Sequence, residues 1–483
     1  MQPFDLIAAE NATIPVTVVG KRAVQGILKL DGRKSRLELL STKFFHFETD
    51  EKGWCDITLL GPKGLRITAH NAVFAGTGQS WGRGRKPMHR ASIFPNTLIM
   101  NSRGHNSKGK VAQISFSLTG FNDFFHYQYI EELDPFDLDD NAKTLLKNLR
   151  YNNENRLDSF HLSHIYVCHR PKKVLTFKVD DRDYSIWGGL REGSGWHGID
   201  LSIEHSATIR FKKPVLLDEA LDRVYEWRQF FNQMAMVPLP IAAISISATN
   251  GKRAVIGDLY IPYLTEPKPI RKGLYGLSPA YLPLNRWEDR NKLAQCMKNW
   301  LKQAGNRRPF RARLDTVIEH MQEGTRQSDI SELCSGIDSL AELGKKTKFP
   351  DDMIEKMAKA AFDSISVSVE AITLERVNGV LGQLQQRSLK EKMLELASLA
   401  IPENYKEDTQ RIVNLAARMR QDAAHRGVVS EDLYSALQPV ADALACLCVA
   451  YDLTQCGIPL FGEDREISNC INRFFNSMMA LNT

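Results

Sequence analysis

Residues 418–427 read RMRQDAAHRG and hold an arginine and a histidine five positions apart, Arg420 and His425, with the amide of Gln421 directly after the arginine. Histidine titrates near neutrality and suits proton transfer. Arginine stays charged and grips phosphate oxygens in pairs. Ile412, Leu415, Ala416, Met419 and Ala423 recur at helical spacing before them, and Gly427 stands where a helix would stop. An ideal helix turns about 100° per residue, so side chains five apart differ by roughly 140°. Arg420 and His425 therefore converge only if the last turn opens at the glycine or if two chains each supply a pair. The pattern alone is also satisfied by a helix-terminal histidine complementing the dipole beside a surface arginine.

Two other patterns match known motifs in letters only. Residues 78–82, GQSWG, fit G-x-S-x-G, but the following GRGRKP cannot start the helix that a nucleophile elbow needs. Residues 193–198, GSGWHG, fit G-x-G-x-x-G, yet they run into the strand pattern GIDLSIEH rather than a helix, so a glycine-rich turn is the reading. No phosphate-binding G-x4-G-K-[ST] loop occurs. The eight cysteines are scattered without a C-x2-C pair, which predicts buried thiols and no zinc site.

The net charge of +6 is unevenly distributed. Residues 61–110 carry nine Lys/Arg and no Asp or Glu, and residues 268–313 carry twelve against two acids, so the rest of the chain is net acidic. Part of the acid lies in residues 131–140, EELDPFDLDD. Clustered positive charge attracts polyanions, and nucleic acid is the commonest in a cytoplasm. In residues 306–313, NRRPFRAR, guanidinium groups interleave with an aromatic ring. Arg307, Arg308, Arg311 and Arg313 are the predicted RNA contacts. Residues 82–90, GRGRKPMHR, fit either a solubilising surface or a polyanion contact.

The texture of the chain changes near residue 270. Before it, residues 114–121, 174–181, 198–205 and 207–213 alternate apolar and polar side chains, the period of half-buried strands in a sandwich or curled antiparallel sheet. One helix interrupts them at 218–235, capped by Asp218. After about residue 280, helices are expected at 287–304, 311–322, 329–343, 351–370, 374–399, 406–424, 430–455 and 464–481. The expected fold class is α+β and multidomain. A β-rich, sandwich-like region spans 1–270, with a possible subdivision near 134–158; a basic helical connector spans 271–310, and a helical bundle 311–483.

A chain of 483 residues with 43% hydrophobic and 25% charged residues folds into two or three domains and is neither disordered nor fibrous. Residues 234–246 form an apolar stretch far short of the roughly 20 that cross a bilayer, and Pro238 and Pro240 interrupt it. The N-terminus lacks a basic start followed by an apolar core, so the expectation is a cytoplasmic protein with no membrane partner.

A helical bundle with an R-x4-6-H motif at the end of a late helix resembles the HEPN superfamily. The β-rich front joined to it resembles the ApeA-like proteins of bacterial antiphage defence, where a characteristic N-terminal domain precedes an ApeA-type HEPN domain. The resemblance covers most of the chain, and its sharp motif is RQDAAH, residues 420–425. The commonest HEPN form has asparagine after the arginine; here Gln421 supplies the amide. Glu342-x3-Lys346, with Asp338 one turn before, fits the acid and lysine of an earlier HEPN helix. The resemblance implies a metal-independent, cofactor-free endoribonuclease of abortive infection that cuts tRNA or other translation RNA. Arg420, Gln421 and His425 would be catalytic and Glu342 and Lys346 auxiliary. It further implies a homodimer or dimer of dimers whose motifs share a cleft, and a phage-encoded trigger acting on the N-terminal half.

Two readings compete with it. One is a non-catalytic HEPN domain that senses RNA or a nucleotide. The other is a ligand-binding β module with a helical oligomerisation bundle, in which Trp187, Trp196 and His197 near the glycine turns could line a site, though packing also accounts for them.

Overall fold

The strand β1 (Ala12–Val18) points Ile14, Val16 and Val18 inward and Thr13 and Pro15 outward. The same alternation runs through β2 (Gln25–Leu30), β3 (Arg36–Ser41), β4 (Trp54–Leu60) and β6 (Met88–Phe94), while the longer β5 (Arg66–Ser80) buries Ile67, Thr68 and Ala69 in succession and exposes residues 75–79. In the computed structural model these six antiparallel strands close on themselves in the order β5-β4-β1-β2-β3-β6, with β6 returning to β5. Closure removes the sheet edges. The barrel interior holds Leu28, Leu37, Leu39, Ile57, Leu59, Ile67 and Ile93, each at most 1% exposed. Burying each such side chain contributes about 1.5–3 kcal/mol. Gly26 is required at its place: a Cβ there would lie 2.2 Å from the Glu38 carbonyl oxygen.

The structure describes residues 12–21, 24–80, 87–101, 110–125, 130–133, 165–168, 172–195, 198–250, 253–262, 284, 289–321, 324–344, 351–365, 373–382, 387–461 and 469–482. The possible subdivision at 134–158, the residues WGRGRK at 81–86, Trp196, His197 and Lys346 lie outside them.

The first half of β5 also pairs with β7 (Thr97–Asn101), and from there the sheet runs on. Its further strands are β8 (Val111–Leu118), β11 (Lys172–Val179), β12 (Arg182–Gly195), β13 (Gly198–Val215), β14 (Ile241–Asn250) and β15 (Arg253–Tyr260), in the order β7-β15-β14-β8-β13-β12-β11. A separate pair, β9 (Ile130–Leu133) and β10 (Ile165–Cys168), stands apart. A single helical turn, α1 (Phe121–Phe124), follows β8. The β-rich half is thus a barrel continued by an extended antiparallel sheet. The pattern at 193–198 lies at a hairpin: Gly195 pairs with Gly198, and β12 returns as β13. The two strands read at 198–205 and 207–213 are one.

Among the described residues the helical unit comprises those within 221–240 and 292–482. It therefore takes all but the first turn of α2 (Leu217–Ala235), the helix that interrupts the β-rich sequence. Next come α3 (Arg290–Lys302), α4 (Ala304–His320), α5 (Gln327–Asp338), α6 (Asp351–Ile365), α7 (Leu374–Gly382) and α8 (Leu389–Ala400). Then follow α9 (Lys406–Arg426), α10 (Glu431–Tyr434), α11 (Leu437–Cys456) and α12 (Asn469–Asn482). Several expected boundaries shift; the helix read at 329–343, for example, ends at Asp338. The helix read at 374–399 is two, because Ser388 caps α8 with its hydroxyl on the Glu391 amide. The one at 430–455 breaks after Tyr434, and the one at 311–322 begins earlier, at Ala304.

The centre of the unit is α11, apolar around its circumference and packed by α4, α5, α8, α9 and α12. By length and composition it could cross a membrane, with a mean hydropathy of 1.2 over its best window, but 78% of that window is buried among the other helices.

Candidate active site

The motif sits on α9, which begins with Glu407 and Asp408 and ends with His425 and Arg426, the charge order that suits a helix dipole. Ile412, Val413, Ala416 and Met419 are buried toward the bundle. The helix stays closed through Arg426. Gly427 then takes a left-handed conformation, φ 74°, and donates its N–H to the Ala423 carbonyl at 3.1 Å. The last turn does not open, so within one chain Arg420 and His425 remain about 140° apart around the axis and about 7.5 Å apart along it.

Arg420 is half-buried, and Gln421 and His425 are exposed. Among the described residues none of the three has a hydrogen-bond or ion-pair partner. Arg420 lies on the side of α5. Burial pushes the Cys334 thiol there up to about 12, against the opposing field of the Arg420 guanidinium. The Asp338 carboxylate adds to the upward shift. Asp338 in turn holds Lys392 of α8, with Nζ 2.6 Å from Oδ1. Lys392 is buried except for this contact and one to the Asp338 carbonyl at 3.3 Å.

The chain after Gly427 folds back along α9. Ser430 donates its hydroxyl and its N–H to Asp422 Oδ2, which holds that carboxyl below its usual range. Arg418 and Asp432 form an ion pair at 3.0 Å. The catalytic candidates thus flank a surface turn whose position is fixed from both sides.

The expected RNA-contacting arginines divide. Because the NRRPFRAR segment is helical, Arg307 and Arg311 are one turn apart and point the same way, into the bundle. Arg311 donates from Nε to Asp452 Oδ2 at 2.8 Å and from Nη2 to Oδ1 at 3.1 Å. Its guanidinium lies over the Trp300 ring, 3.4 Å from the centroid. Arg307 donates from Nη1 to Asp452 at 2.8 Å and from Nη2 to Glu342 at 2.7 Å. Both are buried, and the expectation that they contact RNA is corrected: their donors hold a carboxylate that has no access to water. Arg308 and Arg313 face solvent and pair with Asp222 at 3.1 Å and Glu332 at 2.6 Å. Glu342, whose side chain is 39% exposed, meets this cluster at its solvent edge, through Arg307 and the Tyr451 hydroxyl. Sequence reasoning missed Asp452 and Lys392. An acid inside the apolar run LACLCVAYDL was the available signal for the first. Among the described residues no group of three or more His, Cys, Asp or Glu is placed to hold a metal ion.

Residues 19–300, more than half of the chain, match the family described as ApeA N-terminal domain 1. The chain belongs to this family. The match takes in every barrel strand but β1, the extended sheet, α2 and most of α3, and it supports an ApeA-like antiphage defence protein. It ends before the motif-bearing helix α9 of this ApeA-like chain. No curated protein and no solved structure matches the chain.

Proposed function

We propose that this ApeA-like protein is a metal-independent endoribonuclease of the HEPN type, acting in antiphage defence on tRNA or other translation RNA. The observation that carries the reading is the placement of RQDAAH at the end of α9, in a helical bundle that follows an ApeA N-terminal domain. The exposed imidazole of His425 takes or gives the protons that move when an RNA 2′-hydroxyl attacks the adjacent phosphate and the 5′ oxygen leaves. The Arg420 guanidinium offsets the charge that builds on the phosphorane, and the Gln421 amide orients a phosphate oxygen. One closed helix separates His425 from Arg420, so the complete site draws on two copies, the histidine of one facing the arginine of the other across a twofold axis.

The test is purified wild type against His425→Ala, with sequencing of RNA ends after incubation with total RNA and EDTA. Wild type should leave new ends and the variant should not. Equal cutting by both sinks the assignment.

A further inference from the structure

The outer face of the barrel carries a row of side chains whose types do not suit bare solvent exposure. Strand register places Trp54 beside Val73 and Val73 beside Phe94, on β4, β5 and β6. Directly opposed positions share a face, with side chains in contact range. Val73 is 43% exposed and Phe94 45%. The pairing of Leu37 with Ile93 puts Arg36 next to Phe94 on the following strand, β3. Arg36 pairs with Lys29 on β2, and Lys29 with Thr13 on β1. One continuous belt therefore passes from an aromatic platform to a cationic one. At the cationic end Thr13, Lys29 and Arg36 line a recess of about 230 Å³, which Lys34 and Asp31 also border.

We propose that this belt binds a nucleotide, with the base on Phe94 and Val73 and the phosphate in the recess at Arg36 and Lys29. Neighbouring strands lie about 4.8 Å apart, so the cations stand one and two strands, about 5 and 10 Å, from the Phe94 ring. That is the span from a base to its own phosphate. Every base has a π face, and an exposed ring on a rigid sheet stacks on it without ordering a loop. Glu38 engages the Nε edge of Arg36 at 2.8 Å and lies 3.9 Å from Lys29, holding both cations over the belt. Guanidinium has five donors, so it can hold this carboxylate and a phosphate together. At the other end Lys52 lies over the Trp54 ring, 4.9 Å from its centroid, and adds a third positive charge. The same chemistry serves a free nucleotide or one unit of a single strand. The proposal is independent of the ribonuclease reading.

The test is fluorescence anisotropy on the full chain at fixed salt, with mant-ATP in one arm and a fluorescein-labelled twelve-nucleotide oligodeoxyadenylate in the other. The DNA probe has no 2′-hydroxyl, so the cleavage proposed above cannot consume it. Phe94→Ala and Arg36→Glu should each weaken binding about tenfold, and Phe94→Trp should stay within about threefold of wild type. Binding of both probes assigns the site to a free nucleotide; binding of the oligonucleotide alone assigns it to a single strand. These side chains face outward, and an unchanged melting temperature shows that each variant is folded. The proposal is overturned if wild type binds neither probe, or if Phe94→Ala binds as tightly as wild type while Arg36→Glu does not, which is the mark of unspecific charge attraction.

Discussion

Arg311 and Asp452 form a two-point ion pair in the interior of the helical bundle, where Arg311 is 2% exposed and Asp452 0%. Arg307 closes the pair into a cluster from the neighbouring turn of α4. A carboxylate in such a place is tolerated because two guanidinium groups and their hydrogen bonds replace its water. The cluster fixes α4 against α11, and therefore the central helix that supports the motif-bearing α9 from the other side.

Removing one partner leaves buried charge uncompensated. Asp452→Ala should destabilise the protein by about 3–5 kcal/mol. Urea unfolding followed by circular dichroism measures this; a loss below about 1 kcal/mol contradicts the account of the cluster.

The solvent-facing arginines behave differently. Arg308 pairs with Asp222 on the surface, with 63% and 40% side-chain exposure, and such pairs contribute at most about 1 kcal/mol. Arg308→Glu combined with Arg313→Glu should therefore leave the unfolding midpoint nearly unchanged. The same double variant should bind RNA more weakly and with a shallower salt dependence. Unchanged RNA affinity removes these two residues from the RNA surface.

His425 and Gln421 are exposed, and Arg420 is half-buried. His425→Ala should lower RNA cleavage about 10²-fold or more while the melting temperature stays within experimental error. Arg420→Ala should lose a similar factor in cleavage. Cleavage at the wild-type rate by a folded His425→Ala protein contradicts the assignment.

A twofold site requires two chains. Light scattering at micromolar concentration should give at least twice the mass of the chain. Equal volumes of His425→Ala and Arg420→Ala should regain part of the activity on mixing, since one of the two composite sites in a mixed dimer is intact. A fully active monomer contradicts the proposed arrangement.

Two histidines give the β-rich unit opposite pH dependences. Burial holds His205 down to about 4, with Asn122 Oδ1 2.8 Å from Nδ1. Its folded pKa lies below the unfolded value near 6.5, so this stability is present above 6.5 and is lost as pH falls toward 4. Burial also opposes charge on His70, but the hydrogen bonds to Asp218 and Asp56 outweigh it and raise the pKa to about 9. That stability is present below 6.5 and is lost as pH rises through 9. Each contribution is of the order of 3 kcal/mol. Unfolding free energies measured at pH 5, 6.5 and 9 should peak at the middle value, and His70→Asn should flatten the alkaline side alone. An unaltered alkaline slope in that variant rules out the His70 contribution.

Periodicity alone determined much of this protein. Alternation in segments such as ISFSLTGF marked strands, and i, i+3/i+4 spacing marked the helices, because each residue's face is set by local geometry. The same spacing placed His425 at a helix end and Gly427 at its stop. What local spacing cannot encode is which element lies opposite. Barrel closure depends on β6, which forms a hairpin with its sequence neighbour β5, pairing also with β3 much earlier in the chain, and no short window contains that second partner. The four arginines of NRRPFRAR look alike in sequence. Asp452, more than a hundred residues later, turned two of them from surface charges into interior ones. Helical phase decided which two face the bundle, and the tertiary fold decided that a carboxylate waits there. The belt of Trp54, Val73, Phe94, Arg36 and Lys29 is likewise scattered in sequence and continuous in space, because strand register joins residues that chain order keeps apart.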